Sequence, residues 1–251
     1  MRLAALYDIH GNLPALEAVL AEIRDLQVDQ VIVGGDVLPG PMPRETVELL
    51  AALEIRAQFI LGNGEVAVLE AMAGKEPAQV PEPYRPIIHW NAQQLSREHR
   101  RMMSGWPKTA SVDAAGIGEV LFCHATPRDE NEIFTRITPE EQLAPLFGDT
   151  AARLVVCGHT HMQFDRMVGS TRVVNAGSVG MPFGEPGAYW LLLGQDVQLR
   201  RTAYDLDRAA ERIRATSYPG AAEFAANNVL HPPSDQQMLD IFERAAANAT
   251  R

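Results

Sequence analysis

The chain has 251 residues, 46% of them apolar, 22% charged and 6% aromatic, with a formal net charge of −10. That profile excludes disorder, a collagen-like fibre and a disulfide scaffold, and no apolar run nears the roughly 20 residues that cross a bilayer. An acidic chain is also a poor candidate for gripping a nucleic acid duplex, which depends on Lys and Arg neutralising phosphates.

A small phosphorylated substrate stays compatible with the charge if a metal ion inverts the field locally. Two cysteines, Cys123 and Cys157, are too few for a disulfide framework and suggest a reducing compartment. The opening stretch from Met1 to Asp8 lacks the pattern of a signal peptide. A cytoplasmic location is therefore expected.

The first 62 residues alternate strand and helix signals. Arg2 to Tyr7 is a short apolar run, followed by a loop at Asp8-Ile9-His10-Gly11-Asn12. Leu13, Leu16, Val19, Leu20, Ile23 and Leu26 make a helical stripe, with Pro14 in the first turn where its missing N–H costs little. Val31 to Val33 reads as a second strand ended by Gly34-Gly35-Asp36, and Pro41 and Pro43 open a second helix carrying Val47, Leu50 and Leu53. Gln58 to Leu61 reads as a third strand, ended by Gly62-Asn63-Gly64. This βαβαβ order implies parallel strands in an α/β fold.

Residues 65 to about 108 break the rhythm with Pro77, Pro81, Pro83 and Pro86 and predict a helical insertion over one end of the sheet. Strands resume at Val120–Cys123, Leu154–Cys157, Thr171–Val174, Tyr189–Leu193 and Val197–Ala203, which suggests a second sheet packed on the first. From about residue 205 to 251 an Ala-rich helical tail is expected, broken at Pro219-Gly220 and Pro232-Pro233, and the whole chain reads as one domain.

Polar metal-ligand types follow these strands repeatedly: Asp8 and His10, then Asp36, Asn63, His124, and the pair His159 and His161. In open α/β sheets the ligand crevice lies beyond the carboxyl ends of the strands, so these loops should converge there. Each piece alone has an ordinary reading. Asp-x-His can be a turn with a solvated imidazole, Gly-Asp and Gly-Asn are common turn dipeptides, and His-x-His is an even choice between ligand and surface. The ordered set is hard to obtain from packing alone.

The set Asp8-x-His10, Gly35-Asp36, Gly62-Asn63, His124 and Gly158-His159-Thr160-His161 resembles the calcineurin-like metallophosphoesterase superfamily. The segments from Gly34 to Pro41 and from Asn175 to Pro182 resemble its bacterial YfcE-type phosphodiesterase branch. The resemblance runs from Leu3 to about Pro182 and implies a two-layer β-sandwich flanked by helices, with a dinuclear metal centre. It implies that Asp8, His10, Asp36 and His161 hold one ion and Asp36, Asn63, His124 and His159 the other, with Asp36 bridging. Asp36, Asn63 and His124 are then the catalytic core. Such N/O donors suit two divalent ions drawn from Mn²⁺, Fe, Zn²⁺ and Ni²⁺, with Mg²⁺ also open, and disfavour a thiolate site. The implied reaction is phosphoester hydrolysis, of phosphodiesters or nucleotides, by a hydroxide held between the ions. The alternative is a metal-poor scaffold on the same fold.

One departure stands out. Most of the superfamily has His after the Asn of Gly-Asn, where it assists the leaving group; here the residue is Gly64. Hydrolysis of poor leaving groups should suffer, since general acid help is worth about 10²–10⁴ in rate, unless His89 or Glu65 substitutes. Three residues are weaker substrate-binding candidates: Asn12, at least as readable as a helix cap; Arg128, more readily read as half of a surface ion pair; and His89, in the insertion beside Trp90. His99 reads as part of a solvated helix face, His231 as structural, and both cysteines as small core residues. The Ala-rich tail also leaves an oligomer possible.

Overall fold

Alternation along the first strand divides the core in two. In β1 (Leu3–Leu6), Leu3 and Ala5 face one apolar cluster while Ala4 and Leu6 face another, as the period of two requires. The computed structural model describes residues 1–114, 116–148 and 150–249. Strand β1 pairs in parallel with β2 (Gln30–Val33), which pairs in parallel with β3 (Arg56–Phe59). Two antiparallel strands, β9 (Ala188–Leu193) and β10 (Val197–Thr202), complete a first sheet of order β10-β9-β1-β2-β3.

The second sheet has the order β4-β5-β6-β8-β7. Its centre is parallel: β5 (Gly118–Cys123), β6 (Leu154–Cys157) and β8 (Thr171–Asn175). Its edges, β4 (Thr109–Ala114) and β7 (Phe164–Val168), are antiparallel. The sheets bury a shared cluster that includes Leu3, Ala5, Tyr7, Ile32, Phe122 and Val156. The Tyr7 hydroxyl crosses this interface and donates to the Val156 carbonyl at 2.9 Å. Both sheets thus end their parallel strands at one rim.

Helices cover the outer faces. In α1 (Leu13–Asp25), Leu16, Val19, Leu20 and Ile23 are buried on the first sheet. Beside α2 (Pro43–Ala51), the predicted insertion forms α3 (Asn63–Met72), a 3₁₀ turn (Glu82–Tyr84), α4 (Arg85–Gln94) and α5 (Arg97–Met103). Val68, Ile88 and Met103 from it join the cluster on that outer face. On the second sheet, α6 (Glu140–Phe147) buries Leu143 and Phe147.

The tail forms α7 (Leu206–Arg214), α8 (Ala221–Phe224), a π-helical turn (Ala225–Leu230) and α9 (Asp235–Ala249). Its first three pieces pack against Ile87 and Trp90 of α4. No described helix is long and apolar enough to cross a membrane.

Several expected boundaries move. The third strand ends at Phe59, and the buried Ile60 is held beyond it by a bond from its N–H to the Val33 carbonyl at 3.0 Å. Asn63 and Gly64, expected in a turn, are the first residues of α3. The expectations contain no β4, β7 or α6. Both strands lie at sheet edges with alternate residues exposed, and α6 carries an internal Pro145, so the apolar period is faint in each.

Candidate metal centre

The loops that follow β1, β2, β5 and β6, together with the first turn of α3, converge at that rim. All seven residues proposed as ligands meet there. Asp8, His10 and His161 form one group and Asp36, His124 and His159 another, the potential ligand atoms of each lying within 4.8 Å of one another. Asp36 sits between the groups, with Oδ2 3.7 Å from His10 Nε2 and Oδ1 3.5 Å from His124 Nε2. Asn63 Oδ1 lies 3.0 Å from His124 Nε2, so Asn63 joins the second group.

The backbone is bent to achieve this. Asp8, His10, Asp36, His159 and His161 all have positive φ, between 47° and 66°. Among the described non-glycine residues the only other is Gln27, after α1. Left-handed geometry at a residue with a Cβ costs on the order of 1–3 kcal/mol and gathers at functional sites. Here it turns each side chain inward from the end of its strand.

Hydrogen bonding fixes the imidazoles. Nδ1 of His10, His124 and His161 donates to the carbonyls of Pro39 at 3.1 Å, Gly34 at 3.0 Å and Met181 at 2.8 Å. A carbonyl can only accept, so each Nδ1 carries its proton and each ring turns its Nε2 into the centre, the usual orientation of a metal-binding histidine. The rings of His161 and Phe183 stack at 5.4 Å. Asp8 Oδ2 accepts from the His159 N–H at 2.9 Å, and the Ser178 hydroxyl donates to the Asp8 carbonyl at 2.7 Å. Asn175 donates to the Gly158 carbonyl at 2.6 Å and braces the His159 loop.

Three observations show that these residues fit cations. Asp8 Oδ1 and His159 Nε2 are buried without a hydrogen-bond partner, which is expensive unless something else fills the place. The Nε2 atoms of His10 and His161 face one another at 3.2 Å, and two lone pairs that close need a positive charge between or beside them. The third observation is charge. Burial opposes ionisation of Asp36, but His124, His10 and His159 hold its carboxyl well below the usual carboxylate range.

Burial likewise opposes protonation of His124, yet Asp36 and Asp8 push it up to about 10. His159 is driven down to about 4, chiefly by burial, and so offers a neutral donor. The two buried carboxylates demand compensating positive charge, from protons on histidine or from metal ions.

Glu65 lies directly beneath. This buried side chain accepts from the N–H groups of Asp36 at 2.8 Å, Leu38 at 2.9 Å and Gly62 at 2.9 Å. Burial, then the Asp36 charge, push its carboxyl up to about 7, against the pull of those N–H donors. Committed to three backbone groups, Glu65 cannot stand in for the missing leaving-group histidine. His89 cannot either: it is on α4, 3.3 Å from Glu76 and outside the cleft at the centre.

The other two substrate candidates take their ordinary roles. The Asn12 oxygen accepts from the Ala15 N–H at 3.3 Å as the cap of α1, and its amide donates to the Gly180 carbonyl at 2.9 Å. Arg128 pairs with Glu132 and lines a separate groove with α9. Cys123 and Cys157 are buried, their thiols pushed up by burial.

The glycine at 64 is required by close approach. A Cβ there would lie 2.0 Å from the Leu38 carbonyl oxygen and 2.9 Å from Asp36 Oδ1. Substituting histidine would therefore displace the ligand loop before it could donate a proton. Gly64→Ala is expected to lose about 1–3 kcal/mol of stability as an overpacked site, read from the urea midpoint. An unchanged midpoint would show that the 36–38 loop yields freely.

Residues 1–196 match the profile of the calcineurin-like phosphoesterase superfamily domain. MJ0912, an uncharacterised protein of Methanocaldococcus jannaschii, is 28% identical over 240 residues, covering 86% of this chain and 93% of its own. A metallophosphoesterase from Sphaerobacter thermophilus is 26% identical with a TM-score of 0.69, over 91% of this chain and all (100%) of the other. YfcE, a phosphoesterase from E. coli, is 20% identical with a TM-score of 0.50, over 80% of this chain and 93% of its own, a likeness of fold.

Proposed function

We propose a phosphodiesterase activity for this chain, which belongs to the calcineurin-like phosphoesterase superfamily, and we assign it to the centre formed by the seven converging residues. The observation that carries the proposal is the pair of facing ligand groups with two orphaned buried atoms, Asp8 Oδ1 and His159 Nε2. Asp8, His10 and His161 would hold one divalent ion and Asn63, His124 and His159 the other, with an oxygen of Asp36 turned to each. Mn²⁺, Fe, Zn²⁺ and Ni²⁺ all accept such donors. When bound, the ions would supply a nucleophile at neutral pH and Lewis-acid stabilisation of phosphoryl charge.

The protein's own part is orientation. Carbonyls at Gly34, Pro39 and Met181 lock the imidazoles, so little reorganisation is needed as charge develops on phosphorus. Gly64 has no side chain to act as a general acid toward the leaving group. The favoured substrates are thus small phosphodiesters with leaving groups that depart unprotonated, such as aryl alcohols. We place the protein in the cytoplasm, with the insertion and tail as substrate-selecting parts of one domain.

Hydrolysis of bis(p-nitrophenyl) phosphate with Mn²⁺, compared with p-nitrophenyl phosphate, tests the reading. Chelation is expected to lower diester turnover at least about 10²-fold, and added Mn²⁺ to restore it. Turnover indifferent to chelation would sink the metal mechanism. Absence of both turnover and bound metal would favour a scaffold.

A further inference from the structure

The centre opens into a cleft of about 690 Å³ to which His10, Asp36 and Asn63 contribute. Its far walls come mainly from the helical insertion and the tail, with Glu130 and Asn131 added from the segment after β5. Val80, Tyr84, Ile87, Tyr218 and Phe224 make it largely apolar. Asn131, Asn227 and Asn228 supply amides. The last two lie on the π-helical turn Ala225–Leu230, a distortion that often marks a functional position.

No Lys or Arg lines this cleft among the described residues, whereas Glu70, Glu130 and Glu223 do. Glu130 is matched by Lys108 at 2.8 Å; no ion pair is formed by Glu70 or Glu223 among the described residues. A polyphosphate laid along these walls would meet the carboxylates of Glu70 and Glu223 with no Lys or Arg among the described lining residues to receive it. An uncharged ring would meet aromatic faces, aliphatic walls and amides able to pair with its polar edge.

We propose that this cleft selects phosphodiesters bearing a single negative charge and an uncharged, ring-containing group with hydrogen-bonding edges, and turns away polyphosphates. The inference deepens the phosphodiesterase reading and rests on it. Tyr84 and Asn228 are its specificity-determining residues; Tyr84 is 59% exposed, so its removal leaves the fold intact.

The test compares thymidine 5′-(p-nitrophenyl phosphate) with methyl p-nitrophenyl phosphate, which share charge and leaving group and differ only in what enters the cleft. The nucleoside ester should show a kcat/KM about tenfold higher, the scale of one good ring contact. Tyr84→Ala and Asn228→Ala should each shrink that ratio about threefold or more. Equal rates on the two esters, or ratios unmoved in both variants, would overturn the cleft proposal and leave the phosphodiesterase reading standing.

If neither ester turns over, the phosphodiesterase reading has failed. Calorimetric titration of the nucleoside ester into chelated protein then decides the cleft: binding weakened by Tyr84→Ala supports it, and absent binding overturns it. In the same titration ATP should bind at least about tenfold more weakly than the ester, and the double variant Glu70→Gln/Glu223→Gln should narrow the gap about threefold. ATP binding as tightly as the ester would overturn the exclusion of polyphosphates.

Discussion

Asp36→Asn should lower kcat/KM for bis(p-nitrophenyl) phosphate by about 10³-fold or more, equivalent to ~4 kcal/mol of transition-state stabilisation. The amide keeps an oxygen to accept the Gly64 N–H, a bond of 2.7 Å in the wild type, so the start of α3 should stay in place. What is lost is the carboxylate whose two oxygens face the two candidate ligand groups, one each. Metal content per chain should fall with activity, and the urea midpoint should move little. Full metal content with unimpaired turnover would show that Asp36 bridges nothing. Asp36→Ala is a harsher change, because it also strands the buried Gly64 N–H.

Glu65→Ala should be the most destabilising single substitution near the site. It deletes the acceptor shared by the N–H groups of Asp36, Leu38 and Gly62. Each buried donor left unpaired costs about 1–3 kcal/mol, so a loss of at least ~3 kcal/mol is expected. For a chain of this size that is a fall in Tm on the order of 10 °C. Glu65→Gln should fall between, since its oxygen can still accept while its amide NH₂ meets a donor. A thermal unfolding scan of the three proteins measures the order. Equal Tm values would mean that water satisfies those N–H groups.

The two variants separate roles that the residue types alone do not. Asp36 and Glu65 are both buried acids close to the same loop. Asp36 faces the other ligands, while Glu65 faces backbone and ties the loop after β2 to the end of β3.

The strands Leu3–Leu6 and Leu154–Cys157 are legible along the chain because strands buried on both faces are written as unbroken apolar runs. The candidate ligands stand out for the same reason: a polar residue directly after such a run is conspicuous, and the carboxyl ends of parallel strands gather on one rim whatever the loops contain. The edges β4 and β7 stay hidden because half their residues face solvent.

Other properties had no local signature. That Glu65 gathers three N–H groups depends on which backbone it meets, whereas the Asn12 cap and the Arg128–Glu132 pair join near neighbours in sequence and are readable there. The glycine at 64 looked like a lost catalytic group, yet it is imposed by a carbonyl 2.0 Å from where its Cβ would be.

Residue order alone carried the fold class and the candidate ligand types, because both depend on apolar periodicity and on the polar residues set at the strand ends. The pairing of Asp8 with His161 from opposite sheets, the inward turn of five strained candidate ligands and the cleft between insertion and tail were decided only when two sheets stacked. Those are relations between backbones distant in sequence, set by the register and packing of both layers, and no stretch of the chain encodes them by itself.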